Sequence, residues 1–169
     1  IPSFPTRRSS DLPLSLPIGI VPISLTNLAI YFSVYVLGQK KGTLSYIVYL
    51  FIGLVGLPVF SGFSGGFTKL FGPTGGYLIG FIFMAFISGI FIDKFSTKIY
   101  MCFLGMILGT IVTYIFGTAW LAYQLNMTFN ASLAVGVIPF IPGDIVKMVI
   151  ALFIGPQIKK RLISAGLTE

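Results

Sequence analysis

The sequence has no histidine and only one cysteine, Cys102. That excludes a His/Cys metal site, an internal disulfide, and any Ser–His–Asp or Cys–His nucleophile. Charge is nearly as scarce. Eleven of the 169 residues are Lys or Arg and four are Asp or Glu, 9% in all, whereas soluble domains carry about 25%. Asp11 and Glu169 lie near the ends, and Asp93 sits in a short charged loop. Only Asp144 is embedded in an apolar stretch, so a two-carboxylate mechanism has almost no material and proton transfer lacks a base. No G-x-x-x-x-G-K-[ST] loop occurs, so the chain does not hydrolyse ATP itself. The net charge is +7, but the basic residues are scattered in pairs and triplets. They form no patch interleaved with aromatics, which argues against nucleic acid as a partner.

What the chain does have is apolar surface, with 56% of its residues hydrophobic. A chain of this size with so few charges cannot cover itself in water. An ordinary soluble enzyme and a disordered tail are excluded. The expected fold is all-α, a polytopic helical bundle in a lipid bilayer. Helices are expected and not strands, because backbone polar groups must be satisfied internally in lipid. The composition calls for no metal and no cofactor, and Cys102 reads as a packed or lipid-facing thiol.

Residues 1–12 (IPSFPTRRSSDL) differ from the rest. They are polar and fit neither a signal peptide nor a span. They are expected to be a non-native prefix, leaving residues 13–169 as one transmembrane substrate-binding domain. Five apolar segments follow. Segment A runs from about Ile18 to Leu37, with an uncertain start at Pro17 and Pro22. Segment B covers Leu44 to Phe60, segment C Tyr77 to Ile92, segment D Ile99 to Phe116, and segment E Ala131 to Ile154. Each is long enough, or nearly so, to cross about 30 Å of hydrocarbon.

The basic residues orient these spans. With the Lys40/Lys41 turn in the cytoplasm, alternation puts Lys94, Lys98, Lys159, Lys160 and Arg161 there too. Apart from the prefix, only Lys69 then lies outside, as the positive-inside rule requires. The expectation is a multi-pass cell-membrane protein with a cytoplasmic C-terminus. A preceding helix, displaced by the prefix, would restore an even count. The small-residue pairs Gly76/Gly80, Ala85/Gly89 and Gly105/Gly109 are expected to pack helices within the bundle, or to dock a partner if one faces outward.

Two stretches carry candidate chemistry. In I-P-F-I-P-G-D-I-V-K, Ile138 to Lys147, Asp144 and Lys147 share one helix face. They fall well inside the membrane, where ionisable groups are costly and face a cavity or each other. The pair either neutralises itself or meets a ligand. In the second case Lys147 offers a cation and Asp144 accepts N–H groups. Pro139 and Pro142 are expected to break the helix just outside the pair. The second stretch, Ser61 to Gly76, alternates glycines with aromatics; Phe60, Phe67 and Tyr77 would wall a pocket under a lid. The plainer reading is a turn in the headgroup region. Trp120 and Tyr123 read as interfacial anchors.

G-L-P-V-F-S-G-F-S-G-G-F (Gly56 to Phe67), G-P-T-G-G-Y-L-I-G-F (Gly72 to Phe81) and P-F-I-P-G-D-I-V-K (Pro139 to Lys147) resemble the BioY family. These proteins are biotin-binding S components of energy-coupling factor (ECF) transporters. V-P-I-S-L-T (Val21 to Thr26) is similar to the family's V-P-I-T-L-Q, with Ser24 and Thr26 as departures. The resemblance implies six helices with both termini cytoplasmic and biotin bound near the outer face. It implies an ECF transmembrane coupling protein and two cytoplasmic ATPases as partners. Asp144 and Lys147 match the family's acidic and basic biotin contacts. The valerate carboxylate would suit Lys147 and the ureido N–H groups Asp144. Thr74, Gly75, Gly76 and Tyr77 match the G-P-T-G-G-Y block and would line the pocket. The family's first helix usually carries an A-x-x-x-A face toward the coupling protein, and the prefix occupies that region here. The alternatives are an S component for another vitamin and a ligand-free membrane assembly subunit.

Overall fold

The computed structural model describes residues 15–18 and 21–167. The prefix therefore lies outside the described residues. Two four-residue strands, β1 (Ser15–Ile18) and β2 (Val21–Ser24), pair antiparallel with Pro17 opposite Pro22. The expected start of segment A thus belongs to a hairpin. Each proline lacks the N–H that a helical turn would use, and the helix begins only beyond them.

Six helices follow: α1 (Thr26–Val55), α2 (Phe67–Leu70), α3 (Gly75–Lys94), α4 (Ile99–Leu125), α5 (Phe129–Gly136) and α6 (Ile141–Ser164). Within α1 the backbone leaves the helix at Gly38, with φ 81° and ψ 175°. This region is essentially reserved for glycine. The chain reverses there, and a Cβ on Gly42 would lie 2.8 Å from Val34 Cα. The two arms, 26–37 and 39–55, are segments A and B, lying antiparallel. The turn is fastened to the end of α3, where Asp93 accepts a hydrogen bond of 2.7 Å from the Gln39 backbone N–H.

α3, α4 and the α5–α6 run Phe129–Ser164 are long and apolar enough to cross a membrane. The arms of α1 are shorter than these because Gly38 divides them. The small-residue pairs sit between helices of this bundle. A Cβ on Gly76 would strike Trp120 Cβ at 2.4 Å, and one on Gly80 would meet Thr113 Cα at 2.8 Å. Gly109 faces Met84 and Ser88, Gly105 faces Phe91, and Gly89 faces Gln39. Without hydrophobic drive in lipid, this closeness lets dispersion hold α3 against α4 and α1. The core gathers Tyr31, Val34, Tyr35, Met84, Ala85, Ile92, Cys102, Met106 and Ala151 from α1, α3, α4 and α6. Leu44, Phe51, Ile115 and Phe153 point outward, exposed, as a lipid-facing surface does.

Segment E is not continuous. α5 ends at Gly136, Val137 departs from helical geometry, and a 3-10 turn at Ile138–Phe140 leads into α6. Pro142 does not break α6. It occupies the first turn, where the missing N–H costs nothing. The interruption falls just before Asp144, which lies in the first turn of α6.

Candidate functional site

A cavity of about 810 Å³, counted with its open mouth, lies among α1, α3, α4, α5 and α6 beneath the glycine-rich connection. It lies at the end of the bundle opposite the Gly38 turn: Thr26 and Tyr49, from the ends of the α1 arms remote from that turn, both line it.

Its polar centre is Asp144. The carboxylate Oδ1 accepts 2.7 Å from Asn27 Nδ2 and 3.1 Å from Lys147 Nζ, and Oδ2 accepts from the Tyr114 hydroxyl. Asp144 and Lys147 are 7% and 8% exposed. The pair satisfies itself and also faces the cavity. Three donors and the positive end of α6 stabilise the carboxylate. About four acceptor positions exist on a carboxylate, so one remains for an N–H of a ligand. Beneath, the Tyr31 hydroxyl bonds Thr110 at 2.7 Å and Met84 Sδ at 3.4 Å, and Thr110 and Met84 reach the cavity.

The glycine-rich connection is folded over the cavity. Phe60 and Ser64 exchange backbone hydrogen bonds of 2.9 and 3.4 Å around Gly62 and Phe63, both at positive φ. Gly53 takes the ring of Phe60 so closely that a Cβ would lie 2.1 Å from it. The Tyr49 hydroxyl donates to Val59 O at 2.6 Å, and Trp120 Nε1 donates to Gly72 O at 2.8 Å. Trp120 therefore anchors the connection to α4, while Tyr123 is 77% exposed.

Of the residues named from sequence, Asp144, Lys147, Tyr77, Thr74 and Phe60 line the cavity. Tyr77 is held by its hydroxyl on Gly136 O, 2.9 Å away. Gly75, Gly76 and Phe67 stand outside the lining. A Cβ on Gly75 would lie 1.7 Å from Leu70 O, and Gly76 is pressed on Trp120, so both serve close packing. The Phe67 ring is 62% exposed. Asn27, Tyr114, Thr110, Thr113, Ser61, Ser64 and Lys69 also line the cavity and were not picked out as site residues by sequence. The available signal was Thr110, Thr113 and Tyr114 at helical spacing on one apolar span, and Asn27 in another.

A profile of the BioY family matches residues 9–164. The chain belongs to the BioY family. The biotin transporter BioY of Thermotoga maritima is 38% identical over 147 residues, 87% of this chain and 86% of that protein. The probable biotin transporter BioY of Pyrococcus horikoshii is 39% identical over 156 residues, 92% and 91% of the two chains. A crystal structure of the S component for biotin from an ECF-type ABC transporter superposes with TM-score 0.80 at 34% identity, covering 87% of this chain and 81% of that one. With three long apolar helical runs among the described residues, this BioY-family chain is a multi-pass membrane protein.

Proposed function

We propose that this chain captures biotin as the S component of an ECF transporter. The observation that carries the proposal is the cluster of buried Asn27, Asp144 and Lys147 with half-buried Tyr114, set in an otherwise largely apolar cavity. Membership of BioY and the similarity to named biotin transporters support the choice of vitamin. Biotin offers a rigid apolar bicycle with two ureido N–H donors and a carbonyl. Asp144 has acceptor capacity for one such donor, and aromatic walls from Tyr77, Phe60, Phe81 and Phe140 suit the bicycle.

The chain itself performs no chemistry on the ligand and needs no metal or cofactor. Transport is driven by partners, an ECF transmembrane coupling protein and two cytoplasmic ATPases. The protein resides in the cell membrane with the cavity toward the outside. The Lys40/Lys41 turn, the Lys94/Lys98 loop and the C-terminus face the cytoplasm, as the positive-inside rule prefers.

Competition among vitamins tests the ligand. Purified protein loaded with labelled biotin should release it to unlabelled biotin and retain it against thiamine, riboflavin, folate and pantothenate. Displacement by one of these at lower concentration than by biotin would assign the site to that vitamin instead.

A further inference from the structure

Basic residues gather at the end of the bundle remote from the cavity. The Gly38 turn of α1 lies there on the end of α3, with the Gln39 N–H 2.7 Å from Asp93 Oδ2 and Gly89 pressed on Gln39. The short loop from α3 to α4 is at the same end, and Cys102 Sγ donates to Phe95 O at 3.3 Å across it. α6 runs alongside the first arm of α1, from the Asn27–Asp144 bond to the contact of Gly155 with Tyr35. Residues 159–161, one turn beyond Gly155, therefore stand level with the Gly38 turn.

This end carries Lys40, Lys41, Lys94, Lys98, Lys159, Lys160 and Arg161, against the carboxylate of Asp93 among the described residues. Lys159 is half-buried and the other cations are exposed. None of them is in an ion pair among the described residues, and Asp93 already accepts the Gln39 N–H. α4 starts here after Lys98 with no acidic residue in its first turn, so the positive end of its dipole adds to the charge. Cations concentrated in this way attract anions strongly. Their surroundings favour one kind. Leu37, Ile99, Tyr100 and Ile163 stand exposed beside them, Tyr100 at 64%. A soluble anion would neutralise the cations and leave these apolar side chains uncovered. An anionic phospholipid meets both needs, with its headgroup on the cations and its acyl chains against the apolar side chains.

We propose that this end of the bundle is a binding surface for anionic phospholipid headgroups, held chiefly by the Lys40/Lys41 turn and by residues 159–161. The surface is separate from the cavity and does not rest on the biotin reading.

The test reads which lipid stays with the purified full chain. The protein is equilibrated in detergent with equimolar phosphatidylglycerol and phosphatidylcholine of the same acyl chains, passed through gel filtration, and its retained lipid is quantified by mass spectrometry. The native chain should retain phosphatidylglycerol over phosphatidylcholine by about fivefold or more, the value of one cation at an anionic surface. Neutralising Lys40 and Lys41 to Gln, or Lys159, Lys160 and Arg161 to Gln, should each lower the ratio, and the combined variant should bring it near unity. Raising sodium chloride to about 0.5 M should lower the ratio on the native chain itself, because screening shortens the reach of the charges. That arm holds even where a variant folds poorly. Soluble glycerophosphoglycerol at the lipid's concentration should leave the ratio unchanged. A native ratio near unity would overturn the proposal and leave the basic face to an acidic protein partner. A ratio insensitive to both salt and the combined substitution would overturn it too. Displacement by the soluble headgroup would replace the lipid with a free anion.

Discussion

Asp144 collects Asn27, Tyr114 and Lys147 on one carboxylate, and this governs how substitutions there behave. Removing one partner of a buried ion pair leaves an uncompensated charge and costs about 3–5 kcal/mol, whereas replacing both with neutral residues is often harmless. Lys147→Met alone should therefore lower the thermal unfolding midpoint in detergent. The double variant Asp144→Asn with Lys147→Met should recover most of it. Equal midpoints for the two proteins would show that the pair carries no net strain of this kind. Tyr114→Phe deletes one donor to a charged acceptor and should cost about 1.5–3 kcal/mol by the same assay. Asp144 and Lys147 were legible in sequence because charge inside an apolar run stands out. Asn27 and Tyr114 were not, because each is a single polar group on its own span. Asn27 meets Asp144 only across 117 residues of chain, which no local spacing reports.

At the level of elements, hydropathy located the apolar segments well but not their local geometry. Segments A and B emerged as two arms about Gly38, and C and D as α3 and α4. The proline pair in β1 and β2 and the break at Val137 depend on backbone geometry that apolar periodicity does not encode. Gly75 and Gly76 were expected against the ligand, yet they press on Leu70 and Trp120. Glycine permits close approach without saying to what. Two substitutions measure these geometries. Gly38→Ala forces a side chain into a glycine-only conformation and should cost about 1–3 kcal/mol. Gly80→Val would drive a branched side chain into Thr113 and should cost a similar amount or more through overpacking. Denaturation of each variant against the native chain reads both, and unchanged stability in Gly80→Val would mean that α3 and α4 do not lie this close.

Across the whole molecule, the cavity end and the basic end are opposite. The cavity opens beneath the connection that carries Lys69, while Lys40 and Lys41 adjoin the turn bound to Asp93 at the far end of α3. The proposed sidedness rests on this polarity and can be read by cysteine labelling. In intact cells, Thr68→Cys should react with a membrane-impermeant maleimide, and Lys40→Cys should react only after the membrane is opened. The buried Cys102 should stay silent in both. The reverse pattern would invert the orientation and place the cavity on the cytoplasmic side.

The central claim is that the buried polar cluster holds biotin, and calorimetric titration of biotin into the purified chain tests it most directly. The native protein should bind one biotin per chain more tightly than micromolar. The Asp144→Asn, Lys147→Met double variant should remain folded and lose at least a hundredfold in affinity. A folded native protein with no biotin affinity in that range, or a double variant that binds as well as the native chain, would contradict the account.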